Sequence, residues 1–171
     1  MANNIGPTVE DEVMEGISPV FQDVINLTRI GGLLSRPFFQ TYAQSYSLTL
    51  NEWRVVVMAH AVPGVAGQDV SKRTGIHPMN VSRAVSSLRD AGRITSEPDP
   101  TNHRRQLIRL TPAGEKLYEE LYPSARQQAE RLFSVLDEDE RATFGNLLAR
   151  LYHQAEALMD DDEDEAGASP E

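Results

Sequence analysis

Residues 68–92 read QDVSKRTGIHPMNVSRAVSSLRDAG, and this stretch decides the fold. Residues 68–74 predict a short helix, and Gly75 supplies the turn that ends it. Pro78 suits the first position of a second helix, which we expect to run to Ala91, because the amide donor that proline lacks is unpaired there in any case. Two short helices around a glycine turn are typical of a helix-turn-helix.

A β-hairpin follows this segment. Residues 93–97 and 104–110 are two extended runs, and the turn-forming sequence PDPTNH separates them at 98–103. The pattern predicts two strands joined by a long tip. A further small strand is expected near Val65.

Helical patterns also lie upstream. Apolar residues recur at helical spacing over 17–46, and Pro37 should break or kink that helix near Arg36. Thr49 and Glu52 form a capping box, so a second helix begins at Leu50 and ends before a Pro-Gly pair.

Two long helices are predicted downstream. Thr111, an N-cap followed by proline, begins the first, and Pro123 should kink it. Asp137 and Glu140 form a second capping box, which starts a last helix with apolar positions as far as Leu158. The predicted order is ααααββαα, a mainly α fold with a small β-hairpin.

The net charge of −10 argues against nucleic acid only until its distribution along the chain is considered. Residues 160–171 hold seven of the 26 acids and none of the 16 bases. Residues 68–116 hold nine bases and five acids, which gives a local charge of +4. The central segment is therefore the part suited to DNA, although a basic stripe that is merely solvated has the same composition.

The segment DPTNHRRQLIRLTPAGEKL, residues 99–117, resembles the wing and following helix of the MarR (multiple-antibiotic-resistance regulator) family. That wing follows the pattern Asp-x-Arg before a strand that ends Leu-Thr. LTLNEWRVV before the helix-turn-helix and SRAVSSLRDAG within it extend the resemblance, which covers about residues 18–158. It implies a winged helix-turn-helix with N- and C-terminal dimerisation helices. It also implies that Arg104 is the wing-tip arginine that enters the minor groove, while Asn102 replaces the family's usual aspartate.

In a helix-turn-helix, exposed side chains near the start of the second helix reach base edges in the major groove. Asn80 could pair with adenine, Arg83 with guanine or a phosphate, and Met79 could touch a thymine methyl. His77 is a poor N-cap and a candidate phosphate contact. The alternative is that these are small solvated residues of an amphipathic helix. The candidate DNA-binding residues are Lys72, His77, Met79, Asn80, Ser82, Arg83, Ser86, Arg89, Asn102, His103, Arg104 and Arg105.

The flanking helices carry more apolar surface than a small winged-helix core can cover. The resemblance implies that they pair two copies into a homodimer on a pseudo-palindromic double-stranded operator, with packing inside one chain as the alternative. We expect five segments: a disordered N-terminus at 1–14, a dimerisation and ligand-crevice helix at 15–48, the winged lobe at 49–111, C-terminal dimerisation helices at 112–159 and a disordered acidic tail at 160–171.

The resemblance also implies an effector crevice between the dimerisation helices and the DNA-binding lobe, where relatives take small aromatic carboxylates. Trp53 and His60 are each a ligand contact or a core residue, and a buried histidine needs a hydrogen-bond partner. A ligand that releases DNA would make the protein a repressor. Both a free aromatic acid and its coenzyme A thioester remain candidate effectors. The candidate ligand-binding residues are Arg36, Phe38, Trp53, Val57 and His60.

Several function classes are excluded. The chain has no cysteine, which removes disulfides, thiolate metal sites and thiol-based redox sensing. Its four histidines lack metal-site spacing and no phosphate-binding glycine loop occurs, so we expect no enzyme activity, metal or cofactor. Neither a membrane span nor a basic signal peptide is found, so a cytoplasmic location is expected. The alternative function is a winged-helix protein-interaction module without an operator, against which the wing arginine argues.

Overall fold

The computed structural model describes residues 16–38 and 44–167, apart from the side chains at 36–38, 44, 104 and 159–167. The chain divides into two compact units, Met1–Arg126 and Gln127–Glu171. In chain order the elements are α1 Pro19–Phe38, α2 Gln44–Tyr46, α3 Leu50–Ala61, β1 Val65–Ala66, α4 Gly67–Thr74, α5 Pro78–Asp90, β2 Ile94–Asp99, β3 Asn102–Leu110, α6 Pro112–Phe133 and α7 Glu138–Gly167. The mainly helical winged helix-turn-helix is confirmed.

Side-chain caps set the starts of α3 and α7. At α3, the Glu52 amide donates to the Thr49 hydroxyl and the Thr49 amide donates to the Glu52 carboxylate, as predicted. Asp137 and Glu140 exchange the same two bonds at α7, at 2.9 and 3.0 Å. Each box satisfies two amides that would otherwise lack a partner at a helix end, so both starts follow from local sequence.

The three strands form one antiparallel sheet in the order β1-β3-β2. Val65 lies opposite Ile108, which confirms the small strand expected near Val65, and Ile94 lies opposite Leu110. The prediction of a long hairpin tip is wrong: β2 extends to Asp99 and β3 begins at Asn102. The physical reason is that the Asp99 carboxylate accepts two hydrogen bonds from Thr101, which close a tight turn.

The core of the first unit lies where α3, α4, α5, α6 and the sheet meet. Helix α5 buries Val81, Ala84 and Leu88, while Val85 is partly buried against them. Trp53 is also buried, at 7% exposure. The largest fully buried side chains are Val55, Val56, Val70, Leu88, Ile108 and Leu121.

Helix α6 begins in close contact with the backbone of Arg93. The Thr111 amide donates to the Arg93 carbonyl at 3.0 Å, and the Thr111 hydroxyl accepts from the Gly114 amide at 3.2 Å. A Cβ atom on Gly114 would lie 2.0 Å from the Arg93 carbonyl oxygen, so only glycine fits at this position. The Arg93 guanidinium in turn donates to the Tyr46 carbonyl at 2.6 Å.

The N-terminal helix differs slightly from its prediction. It runs to Phe38, two residues beyond the expected break, with Pro37 in its last turn. Its apolar side chains are largely exposed, from 42% at Leu27 to 75% at Val20. The expected disordered segment at 1–14 lies outside the described residues. No helix in the described part of the chain is long and apolar enough to cross a membrane.

The second unit contains the end of α6 and all of α7. The rings of Phe133 and Phe144 lie 5.9 Å apart, whereas Leu147 and Leu151 are exposed. Disorder was expected from 160 onward, but α7 continues to Gly167. Extending an existing helix avoids the cost of nucleation, and the alanine and glutamates of this segment are good helix formers.

Candidate nucleic-acid interface

Helix α5 presents a polar row on the side opposite its buried one. Met79 is 57% exposed, and Asn80, Ser82 and Arg83 are also exposed, while Ser86 is half-buried. All of these side chains except Ser86 lie in the first two turns, where a helix that enters the major groove carries its base contacts. The structure therefore brings this predicted set to one surface.

The start of α5 is capped by His77. Its Nδ1 atom accepts a hydrogen bond from the Met79 amide at 3.3 Å, so His77 serves as the N-cap despite the prediction that it would be a poor one. A nitrogen that accepts carries no hydrogen, so in the neutral ring Nε2 carries it. Because the residue is exposed, that Nε2–H group is accessible as a donor at the end of the helix.

A groove of about 310 Å³ lies between α5 and the base of the hairpin. Hydrogen-bonding side chains from three parts of the fold line it, and the Ser96 hydroxyl donates to the Gln106 side chain at 3.3 Å. Such a surface can hold a stretch of sugar-phosphate backbone. The polar lining residues are Gln68, Ser82, Ser86, Arg89, Ser96, Arg105 and Gln106.

Asp99 organises the tip of the hairpin. Its carboxylate accepts from the Thr101 amide at 2.8 Å and from the Thr101 hydroxyl at 2.7 Å. These two bonds lower the pKa of Asp99, and the Arg105 charge lowers it further. Asn102 and His103 are exposed, whereas the side chain of Arg104 lies outside the described set. Sequence analysis treated Asp99 only as a turn former and so missed the residue that orders the wing.

Arg105 is held by the helix-turn-helix. Its Nη2 atom lies 2.7 Å from Asp69 Oδ2, and both side chains are partly exposed, at 36% and 43%. Its Nε atom is buried and has no hydrogen-bond partner among the described residues. The predicted DNA-binding role of Arg105 is therefore combined with an internal ion pair that the sequence did not reveal.

Two further predicted cations lie on this lobe. Lys72 is exposed near the end of α4. Arg89 is 54% exposed near the end of α5, and its Nε atom lies 4.0 Å from an oxygen of Asp90. Such an exposed, long contact contributes little energy, so Arg89 stays available to a phosphate.

An aromatic cluster joins α3 and α6. The rings of His60 and Tyr118 stack at 3.7 Å, Tyr118 and Tyr122 at 4.9 Å, and Trp53 and Tyr118 at 6.0 Å. Burial, followed by the neighbouring Tyr122 and Glu115, raises the pKa of Tyr118, so its phenol stays protonated at neutral pH. Tyr118 and Tyr122 were not among the candidate ligand residues.

Of the two alternatives for His60, the buried core residue is wrong, while the ligand contact stays a prediction. The His60 side chain is 40% exposed, because the end of α3 lies at the surface, but it does have a partner: Nδ1 lies 2.8 Å from Glu115 Oε2. Val57 is half-buried against the core. The side chains of Arg36 and Phe38 lie outside the described residues, so their predicted contacts stay predictions.

Glu52 is the buried acid of the lobe, at 5% exposure. Burial alone would raise its pKa, but the hydrogen bond from Ser87, the bonds from Thr49 and the nearby charge of Arg93 together lower it. The capping box of α3 is thereby also a link to α5. The sequence predicted the capping box of Glu52 with Thr49 but not its hydrogen bond from Ser87.

The comparisons with known proteins agree with this geometry. The sequence profile of the MarR family matches residues 46–105. The HTH-type transcriptional regulator FarR of Neisseria gonorrhoeae is 24% identical over 120 residues, which is 70% of this chain and 82% of FarR. The structure of Bordetella bronchiseptica BpsR, whose DNA binding is regulated by 6-hydroxynicotinic acid, is 28% identical, with a TM-score of 0.66 over 76% of this chain and 98% of BpsR. A MarR/EmrR family regulator from Acinetobacter sp. ADP1 shares the fold, with a TM-score of 0.73 at 22% identity over 82% and 99% of the two chains.

A helix-turn-helix with an exposed polar helix row and an adjoining hairpin defines a winged-helix DNA-binding protein. Residues 46–105 match the MarR family of winged-helix transcriptional regulators, and the chain shares the fold of members of that family. Members of this family bind DNA operators, typically as dimers.

Proposed function

We propose that the protein is a dimeric repressor that leaves a pseudo-palindromic operator when it binds a small aromatic carboxylate or its coenzyme A thioester. The observation that carries the proposal is the exposed row on α5 beside the polar groove and the wing. We also propose a cytoplasmic location, because a repressor works where its operator DNA lies.

The DNA contacts follow from side-chain chemistry. Asn80 can give and accept hydrogen bonds at an adenine edge, Arg83 can pair with guanine or a phosphate, and Met79 can touch a thymine methyl. His77 offers its Nε2–H group to a phosphate. At the wing, Arg104 enters the minor groove, where a narrow A·T-rich segment concentrates negative potential.

The dimer is supported by apolar surface that one chain leaves uncovered. On α1, Val20, Val24 and Leu27 share one side of the helix and are exposed at 75%, 51% and 42%. Burying such a stripe against a second copy removes it from water, at about 25 cal/mol for each Å². A twofold pair would present two copies of α5 to successive major grooves.

The effector proposal rests on the aromatic cluster. Trp53, Tyr118 and Tyr122 are the proposed aromatic contacts of the ligand, and the Tyr118 phenol, which stays protonated at neutral pH, is a hydrogen-bond donor for its carboxylate. Arg36 is the proposed cation for that carboxylate. Regulation of BpsR by 6-hydroxynicotinic acid supports this ligand class. A ligand acts only if it binds the DNA-releasing conformation more tightly than the DNA-bound one.

The first test is binding of the full chain to duplex DNA from its own upstream region across a salt series. We expect sequence preference and a steep loss of affinity with salt, and Arg104→Ala should weaken binding by about 1 to 3 kcal/mol. Arg141→Ala is the control, because that exposed arginine belongs to the second unit and is not among the proposed DNA-binding residues. Binding without sequence preference or without salt dependence would favour a protein-interaction module instead.

The second test is a thermal-shift screen of aromatic acids and acyl thioesters, with and without operator DNA. An effector should raise the melting temperature of the protein and release the DNA. Tyr118→Ala should abolish that ligand-induced shift. A ligand that stabilises the protein without affecting operator binding would contradict the inducer role.

A further inference from the structure

The wing loses strand register close to its tip. Pro98 lies opposite Gln106, whereas the next residue, Asp99, lies opposite Asn102. Residues 103–105 of β3 therefore fall between these two pairs without a partner on β2. Since the ladder bonds that order the base of the hairpin do not reach Arg104, something else must fix the backbone that bears it.

Arg105 provides a tether at this break. Its guanidinium pairs with Asp69 at 2.7 Å, and Asp69 lies in the first turn of α4, the first helix of the helix-turn-helix. The bond joins residues 36 positions apart in sequence. On its other side, Arg105 is close enough to lower the pKa of Asp99, after the hydrogen bonds from Thr101. The guanidinium thus links the helix-turn-helix to the irregular part of the wing.

We propose that Asp69 is a positioning residue for DNA binding, which acts through Arg105 to hold the wing tip in place beside α5. This proposal rests on the proposed DNA-binding function. Asp69 is an acid on a surface that faces a polyanion, so its charge alone opposes binding. If Asp69 positions the wing, removing its charge should weaken DNA binding, whereas a plain charge effect would strengthen it. The sign of the change in affinity therefore distinguishes the two roles.

The test measures affinity of the full chain for a duplex that the wild-type protein selects from a random library. Asp69→Asn should weaken binding about three- to fivefold, the scale of a partly exposed ion pair, although it removes a negative charge. Asp90→Asn is the matched control, because Asp90 is also an exposed acid of the lobe and its contact with Arg89 is 4.0 Å long. It should bind as tightly as wild type or more tightly.

A double-mutant cycle with Arg105→Gln tests the route of the effect. In the Arg105→Gln background, Asp69→Asn should cost nothing further, because the partner through which it acts is gone. A defect that came only from weakening α4 would persist in that background, so a loss of folding stability does not mimic the result. Asp69→Glu, which keeps the charge, should bind within about twofold of wild type.

The salt dependence separates positioning from direct phosphate contact. Loss of one phosphate contact would flatten the slope of log affinity against log salt by about 0.9. Asp69→Asn should leave the slope unchanged. Equal or tighter binding by Asp69→Asn, or additive losses in the cycle, would overturn the positioning role. Failure of the wild-type chain to select any sequence would instead refute the proposed function.

Discussion

The winged lobe and the flanking helices differ in the solvent exposure of their apolar side chains. In the lobe, Val55, Val56 and Val70 are completely buried. On α1, Val20 and Phe21 are 75% and 57% exposed, and in the second unit Leu151 is 57% exposed. The lobe therefore completes its own core within one chain, whereas the flanking helices leave apolar surface that water would cover in a monomer.

The same contrast holds for their helix caps. Both regions contain a complete capping box, but Glu52 of the lobe is buried and also bonded by Ser87, whereas Glu140 of α7 is exposed. The same pair of local hydrogen bonds is thus joined by a tertiary partner in the lobe, whereas at α7 it lies in contact with solvent. Substitutions in the lobe should therefore act on folding, and those in the flanking helices on association.

The largest effect is expected at a pair of glycines. Gly114→Ala places a methyl group against the Arg93 carbonyl, which can move only by straining the bond from Thr111, so we expect a loss of about 3 kcal/mol in the free energy of unfolding. Gly145→Ala on α7 meets no atom within 4 Å and should stabilise that helix by about 0.5 to 1 kcal/mol. Urea denaturation at fixed protein concentration measures both. An equal change in the free energy of unfolding for the two variants would contradict this difference between the lobe and the flanking helix.

The next effect concerns association. Leu27→Glu places a charge on the exposed apolar side of α1 and should weaken dimerisation by about 2 kcal/mol, roughly thirtyfold, because a carboxylate cannot be buried unpaired. Asn26→Glu adds the same charge to the neighbouring exposed polar position and should have little effect. Sedimentation across a concentration series gives the two dissociation constants. An unchanged constant for Leu27→Glu would exclude this face of α1 from the interface.

Local signals account for what sequence analysis found. Some helix starts depend only on residues within one helical turn, so the sequence predicts them directly. These are the capping boxes of Thr49 with Glu52 and Asp137 with Glu140, and the first-position Pro78. The buried residues of α5, Val81, Ala84 and Leu88, recur at helical spacing, so a periodic pattern accounts for them. These features identified the helix-turn-helix and the flanking helices, and the extended runs at 93–97 and 104–110 identified the wing.

The features that sequence analysis missed depend on contacts between residues that are distant in the sequence. His60 meets Glu115 across 55 positions and Asp69 meets Arg105 across 36, and no spacing rule connects either pair. The wing tip was predicted too long because its turn depends on one carboxylate, Asp99, accepting two bonds from Thr101. In each case the decisive partner is fixed by geometry that only the folded chain provides.

The smallest effect compares the two capping boxes. The bonds from Ser87 and Thr49 and the charge of Arg93 outweigh burial and lower the pKa of Glu52, so the carboxylate stabilises the fold above its ordinary pKa of 4.5. That stabilisation is lost as the pH falls through the lowered value. Glu52→Gln should therefore cost about 1 kcal/mol at neutral pH and progressively less in acid. Glu140→Gln should cost under about 0.5 kcal/mol, since an exposed cap has only its local bonds. Urea midpoints from neutral pH to below 4.5 measure both, and a Glu52→Gln deficit that persists in acid would show that packing, rather than the charge of Glu52, separates the lobe from the flanking helix.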